Sequence, residues 1–245
     1  MGGAKRPPRA ISCKRWRDQL ARAVAALRSS ADPESVHQLR VAIARLRVWL
    51  VLGGVRVLDD DLRWLRHEAA AARDLDVSLA LRPPAKVAEW LRTEIGPRRR
   101  ALTAALGDSR AVGLMQALSL LPPAPPALAS ERVARLARSA LRRGDEAQAH
   151  PADVAALHRL RRALRRLRFG LEWMGQRPQA LIELQTVLGE LGDRAIALRG
   201  LTRIPRGTTG AGSYRIRLER ELARYGRQAL AQWQQTRPWV QELAR

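Results

Sequence analysis

Several kinds of chemistry are missing from this sequence. Cys13 is the only cysteine among 245 residues, so no intrachain disulfide can form, and a reducing compartment is the natural expectation. Phe169, Tyr214 and Tyr225 are the only Phe and Tyr residues, and most of the seven tryptophans fall at helix-core spacing, so platforms for stacking nucleobases are scarce. The longest apolar run, Val48 to Val55, is interrupted by Gly53 and Gly54 and is too short to span a bilayer. The basic start, Met1 to Arg9, leads into Lys14, Arg15, Arg17 and Asp18 instead of an apolar stretch, which predicts no signal peptide. Arg6 also stands where a myristoylation motif after Gly2 requires Ser or Thr. A soluble, cytoplasmic protein is therefore expected. Among His37, His67, His150 and His158, no two have the i, i+4 spacing of a helical metal pair, and Cys13 is isolated. There is no Gly-x-Ser-x-Gly and no acidic cluster for catalytic Mg²⁺. Neither an enzyme, a metal site nor a cofactor is expected.

Positive charge is what the sequence has in excess. The formal net charge is +22 and the isoelectric point about 11.7, which predicts an anionic partner. Of 45 basic residues only Lys5, Lys14 and Lys86 are lysine. Nearly all the charge is thus guanidinium, whose planar fork matches phosphate oxygens. Codon usage can also favour arginine over lysine, so the bias points to a polyanion without saying which.

Ala, Leu, Arg and Glu dominate, and no run of alternating β-branched residues occurs, so the fold class is all-α. A first helix is expected over 12–28, with Leu20, Val24 and Leu27 on one face. Asp32-Pro33 reads as an N-cap and first-turn proline, and Gly53-Gly54 as the stop of the second helix. A third helix runs from Asp61 to about Ala72 and leads into Ala72-Arg73-Asp74-Leu75-Asp76-Val77. Asp74 and Asp76, two apart, diverge on a helix, which favours capping or pairing with Arg73 over a catalytic dyad. The next helix spans 85–106 with a break or kink at Gly96-Pro97, and Asp108 caps a short one to Leu120. The run Leu121-Pro122-Pro123-Ala124-Pro125-Pro126 cannot be helical and divides the chain into halves, 1–126 and 127–245. In the second half, helices are expected over 130–143, closed by Gly144; from Pro151 to near Gly175; over 178–191; and from a Ser213 cap to about Gln235. Gly207-Thr208-Thr209-Gly210-Ala211-Gly212 reads as a flexible loop, since no strand precedes it.

The two halves repeat. Val36-His37-Gln38-Leu39-Arg40-Val41-Ala42-Ile43-Ala44-Arg45-Leu46-Arg47 returns 121 residues later as Leu157-His158-Arg159-Leu160-Arg161-Arg162-Ala163-Leu164-Arg165-Arg166-Leu167-Arg168. Val36, Leu39, Ile43, Leu46 and Leu50 form an apolar seam, matched by Leu157, Leu160, Leu164, Leu167 and Leu171. Beside the first seam lie His37, Arg40 and Arg47, with Arg45 further round. Beside the second lie His158, Arg161, Arg165 and Arg168, with Arg166 further round. Each stripe is about 15 Å long at 1.5 Å per residue. Guanidinium groups at the edge of a core attract anions more strongly than fully solvated ones. Two such stripes suit an extended phosphate chain, whereas one copy alone would read as a helix surface paired with Asp and Glu.

The two His-x-x-Arg stretches, with the Ala-Arg-Leu-Arg and Arg-Arg-Leu-Arg that follow them and the intervening Ala-Ala-Arg-Asp-Leu-Asp-Val, resemble the CHAD domain, the conserved histidine α-helical domain. The resemblance covers nearly the whole chain. It implies two antiparallel helical bundles, related by a pseudo-twofold axis, around a basic cavity that binds inorganic polyphosphate, and association with polyphosphate granules. The residues it carries over are His37, Arg40, Arg45, Arg47, His158, Arg161, Arg165, Arg166 and Arg168, with Arg63 and Arg73 as additions. Ala44 departs from the family pattern where a basic residue matching Arg165 is usual, so the His158 helix is expected to carry more of the binding than the His37 helix. The second acidic segment, Gly192-Asp193-Arg194-Ala195, also lacks the full Arg-Asp-Leu-Asp. CHAD domains often accompany triphosphate-processing tunnel domains, but neither their strands nor their acidic motif is present in this chain. Charge alone is equally compatible with a nucleic-acid-binding protein, although no helix-turn-helix or zinc-finger pattern appears, or with a scaffold for an acidic protein.

Overall fold

In a computed structural model, residues 11–30 and 32–245 are described; the basic segment containing Gly2, Pro7 and Pro8 lies outside them. The described residues form nine helices: α1 (Lys14–Ser29), α2 (Pro33–Gly53), α3 (Asp59–Ala80), α4 (Ala85–Gly107), α5 (Ser109–Ser119), α6 (Pro126–Ala149), α7 (Val154–Trp173), α8 (Gln179–Leu201) and α9 (Ala211–Leu243). None of them is long and apolar enough to cross a membrane.

Local chemistry accounts for most helix ends. The Asp32 carboxylate accepts hydrogen bonds from the backbone N–H groups of Glu34 and Ser35, both 2.9 Å, ahead of Pro33 at the first helical position. Asp108 and Asp153 cap α5 and α7 in the same way, each accepting at 2.7 Å. The proline-rich stretch is non-helical through Pro125, but Pro126, expected outside a helix, is the first residue of α6. That helix starts four residues before the expected Ser130, because proline at the first helical position forfeits no intrahelical hydrogen bond. Ala124 within the proline-rich stretch exchanges backbone hydrogen bonds with Ile11, at 2.9 and 3.0 Å, and the Ile11 carbonyl also accepts from Trp49 Nε1.

Five helices run further than expected. α3 continues past Ala72 to Ala80, with Asp76, Val77 and Ser78 buried in the added stretch. α4 is continuous through Pro97, because proline removes one intrahelical donor at an exposed position while Leu91 and Leu102 on either side are buried. α6 continues past Gly144, which is buried in mid-helix. A Cβ there would lie 2.1 Å from the Trp233 ring, so this glycine is a notch for an indole and not a stop. α8 extends to Leu201, carrying the buried Ala197 and Leu201 into a second apolar cluster. α9 begins after Gly210, not at Ser213, and passes Pro238 to bury Val240. The Gly/Thr segment before α9 is a hydrogen-bonded turn, with Thr208 Oγ1 donating to the Pro205 carbonyl at 2.8 Å.

The helices pack in the same neighbour order in both halves: α1 on α2, α2 on α3 and α3 on α4, then α6 on α7, α7 on α8 and α8 on α9. Every residue of both predicted seams is at most 2% exposed. One apolar core runs through both halves, and α2 crosses to α6 and α7 while α3 crosses to α8. A smaller cluster of Val87, Leu91, Ala197, Leu201, Ile204, Tyr214 and Leu218 also joins the halves.

Candidate functional site

Where α2, α3, α6 and α7 meet they leave a cleft of about 900 Å³. Ala44, Val48, Val51, Leu136 and Phe169 give it apolar walls. Its charged lining is one-sided: nine arginines face it against two acids, Asp59 and Asp60. α7 contributes Arg162, Arg165 and Arg166, one helical turn of guanidiniums, while α3 contributes Arg63 and Arg66 and α2 only Arg47. Arg56, Arg132 and Arg135 complete the rim. Arg132 has a structural task as well, since its Nη1 donates to the Val51 carbonyl at 2.8 Å and the Leu52 carbonyl at 3.2 Å, at the free end of α2.

The arginines differ in their partners. Arg47 makes a two-point ion pair with Asp59, with Nε to Oδ1 at 2.7 Å and Nη2 to Oδ2 at 3.2 Å. Arg63 shares the same carboxylate at 2.7 Å. Arg66, Arg162, Arg165 and Arg166 have no ion pair among the described residues. Burial, followed by repulsion from neighbouring guanidiniums, pulls Arg165 down to about 9 and Arg66 to about 10; Arg40 acts on both. Each remains cationic at neutral pH. Positive charge concentrated without counter-ions is costly to the folded chain, and a polyanion would relieve that cost.

Only part of the predicted stripe reaches this cleft: Arg47, Arg63, Arg165 and Arg166 line it. Arg45 and Arg168 are removed from it by the α2–α7 crossing, where both pair with Glu172, at 3.0 and 2.9 Å. The Arg45 guanidinium also lies 4.0 Å from the Trp16 ring centre and 4.4 Å from that of Phe169, and its carbonyl accepts from Trp173 Nε1. Arg45 therefore clamps α2 to α7, while Arg168 pairs with Glu172 within α7. Arg40 and Arg161 stand deeper, with Asp74 the acid acting on Arg40 and Asp193 on Arg161. A Cβ on Gly192 would be 2.6 Å from Arg161 Nη1, so that guanidinium packs directly on the α8 backbone. Arg73 lies near the same buried charges, acting on His37, Arg40, Asp74 and Asp193.

Neither histidine lines the cleft. Burial and surrounding arginines hold both imidazoles below their usual range, His158 at about 4, with Arg162, Arg161, Arg165 and Arg199 acting on it. Both rings are neutral at pH 7. Asp76 pairs with Arg99 of α4 at 2.8 Å rather than with Arg73. Asp74 borders a second, smaller cavity of about 300 Å³ between α3, α4 and α8.

Sequence comparison missed Arg66, Arg56, Arg132, Arg135 and Arg162. The position matching Arg162 in the first copy is Val41, so the repeat does not mark it. Arg66 follows Arg63 by three residues on α3, and that spacing was the available signal. Arg56, Arg132 and Arg135 come from outside the repeated stretches and reach the cleft only through tertiary packing.

No curated protein matches the chain. Among solved structures, the crystal structure of the CHAD domain from the plant Ricinus communis is similar over 94% of this chain and 97% of its own, at 25% identity and a TM-score of 0.73. PptA from Streptomyces chartreusis covers 92% of this chain and 96% of its own at 18% identity and a TM-score of 0.65, a likeness of fold. The family model for the CHAD domain matches residues 13–202. With that match extending over well more than half of the sequence, the chain belongs to the CHAD domain family.

Proposed function

We propose that this protein binds inorganic polyphosphate, without catalysing its turnover, in the cleft between α2, α3, α6 and α7, and that binding recruits it from the cytoplasm to polyphosphate granules. The observation that carries the reading is the group of guanidiniums without an ion pair among the described residues, Arg66, Arg162, Arg165 and Arg166, inside a concave surface. A phosphate chain presents an anionic group at every repeat, so successive arginines can each be matched, and Arg66 and Arg165 regain counter-charge on binding. Membership of the CHAD family supports the same ligand class. The cleft has little to offer a nucleobase: Phe169 is its only aromatic, and Arg45 and Arg168 already lie over that ring.

The test is a salt-titrated comparison of polyphosphate and RNA. Polyphosphate is expected to bind more tightly at equal ionic strength, and replacing all four arginines by alanine to flatten the slope of log affinity against log salt by roughly three. The ligand-free quadruple variant should melt no lower than the parent, because the lost charges repel one another. Equal affinity for RNA, or an unchanged slope in the variant, would sink this assignment.

A further inference from the structure

We propose that Asp59 is a built-in competitor for the anion, a carboxylate that occupies Arg47 and Arg63 and thereby sets how much negative charge a ligand must bring; this rests on the polyphosphate reading of the cleft. Asp59 is the first residue of α3 and lies in the cleft wall. Its two oxygens take both the Nε and Nη2 donors of Arg47, the same fork a phosphoryl group would use. Its Oδ2 is also 2.7 Å from Arg63. The Arg47 side chain is only 17% exposed and the Asp59 side chain 29%, so this pair is partly withdrawn from solvent screening, unlike the contact of Arg63 with Asp60, which is 87% exposed.

The consequence is a cleft of uneven charge. Arg47 and Arg63 are paired with Asp59 and Asp60, whereas Arg66, Arg162, Arg165 and Arg166 have no ion pair among the described residues. Asp59 borders that second group as well, since it acts on Arg166. A short or weakly charged anion can be satisfied by the four arginines without an ion pair. A longer chain reaching Arg47 must displace the carboxylate from its fork or suffer its repulsion. Asp59 therefore acts on specificity through Arg47 and Arg63, opposing extension of the ligand onto those two arginines. Its place in the first turn of α3 also suits the helix dipole, but that benefit requires no arginine partner.

The experiment compares the full chain with Asp59→Asn and with the Asp60→Asn control, titrating medium-length polyphosphate and tripolyphosphate over a range of salt. Asp59→Asn is expected to bind the longer polymer about tenfold more tightly, to gain less with tripolyphosphate, and to steepen the salt slope by roughly one to two as Arg47 and Arg63 become available. Asp60→Asn is expected to gain less than Asp59→Asn in both affinity and slope, because the Asp60 carboxylate is largely exposed and makes no ion pair with Arg47. A merely structural Asp59 would leave the slope unmoved. If Asp59→Asn folds poorly, Asp59→Ser keeps a short polar side chain in the first turn of the helix and removes the same charge. If the parent binds polyphosphate but neither Asp59 variant binds more tightly or with a steeper slope, the competitor role is overturned and the polyphosphate reading stands. If parent and variants all fail to bind, both are overturned; binding by the variants alone would establish the competitor.

Discussion

At the scale of single residues, the same sequence position takes opposite jobs in the two copies. Arg45 and Arg166 correspond, yet Arg45 is held over Trp16 and Phe169 by Glu172 while Arg166 faces the cleft. Arg47 and Arg168 correspond, and there the roles are exchanged. α7 supplies three cleft arginines to the single one of α2, where Ala44 is part of the apolar wall. The expectation that the His158 helix carries more of the binding than the His37 helix is a matter for binding measurements on variants of each helix. The histidines lend themselves to a pH test. His158 is held near 4 by burial and by Arg162, Arg161 and Arg165, below the 6.5 of a free imidazole. A base whose folded pKa is depressed stabilises the fold fully above its unfolded value and loses that contribution as pH falls toward the folded value. The thermal midpoint of the parent should therefore drop between about pH 6.5 and 4 by more than that of His158→Gln. The difference between the two proteins is the relevant quantity, because Asp74 and Asp193, raised by burial, titrate with the opposite sign. Equal slopes in parent and variant would show that His158 is not held neutral by the fold.

At the scale of helices, starts were legible where a side chain does the capping, as with Asp32 and Asp108. The end of α2 was legible at Gly53-Gly54, where Gly54 takes the left-handed conformation. Gly144, Gly96-Pro97 and Pro238 all look like local breaks, yet packing carries a helix through each of them. Gly144→Ala separates local propensity from packing most sharply. Alanine would gain roughly 1 kcal/mol as a helix former, but its methyl would sit 2.1 Å from Trp233 carbons. We expect a net loss of about 1–3 kcal/mol in chemical denaturation, accompanied by a change in near-ultraviolet circular dichroism from the displaced indole. A stabilised variant would mean that the α6–α9 contact yields without cost.

At the scale of the whole molecule, the division into residues 1–126 and 127–245 describes the repeat in sequence rather than independent units of stability. The main core includes residues from both sides of the proline-rich boundary, and Glu172 of α7 holds Arg45 of α2. The cleft itself exists only between halves, with α2 and α3 on one side and α6 and α7 on the other. Unfolding in urea is therefore expected to be a single transition, with far-ultraviolet circular dichroism and tryptophan fluorescence giving coincident midpoints. Two resolved transitions would show that the halves fold separately despite their shared core.

The sequence by itself determined that the protein is all helix, where its apolar seams lie, how α2 and α5 begin, and that its excess charge is positive and almost all guanidinium. Each of these follows from residue spacing, side-chain chemistry within a few positions, or total charge. Only the tertiary structure decided which arginines face open space. The angle of a residue about its helix axis is fixed by spacing, but what stands opposite that angle is not. Arg45 meets Glu172 and two aromatic rings, 127 residues away in the case of Glu172, and becomes a clamp. Arg66 and Arg162 line an open cleft and have no ion pair among the described residues, and repulsion from neighbouring guanidiniums acts on Arg66 there.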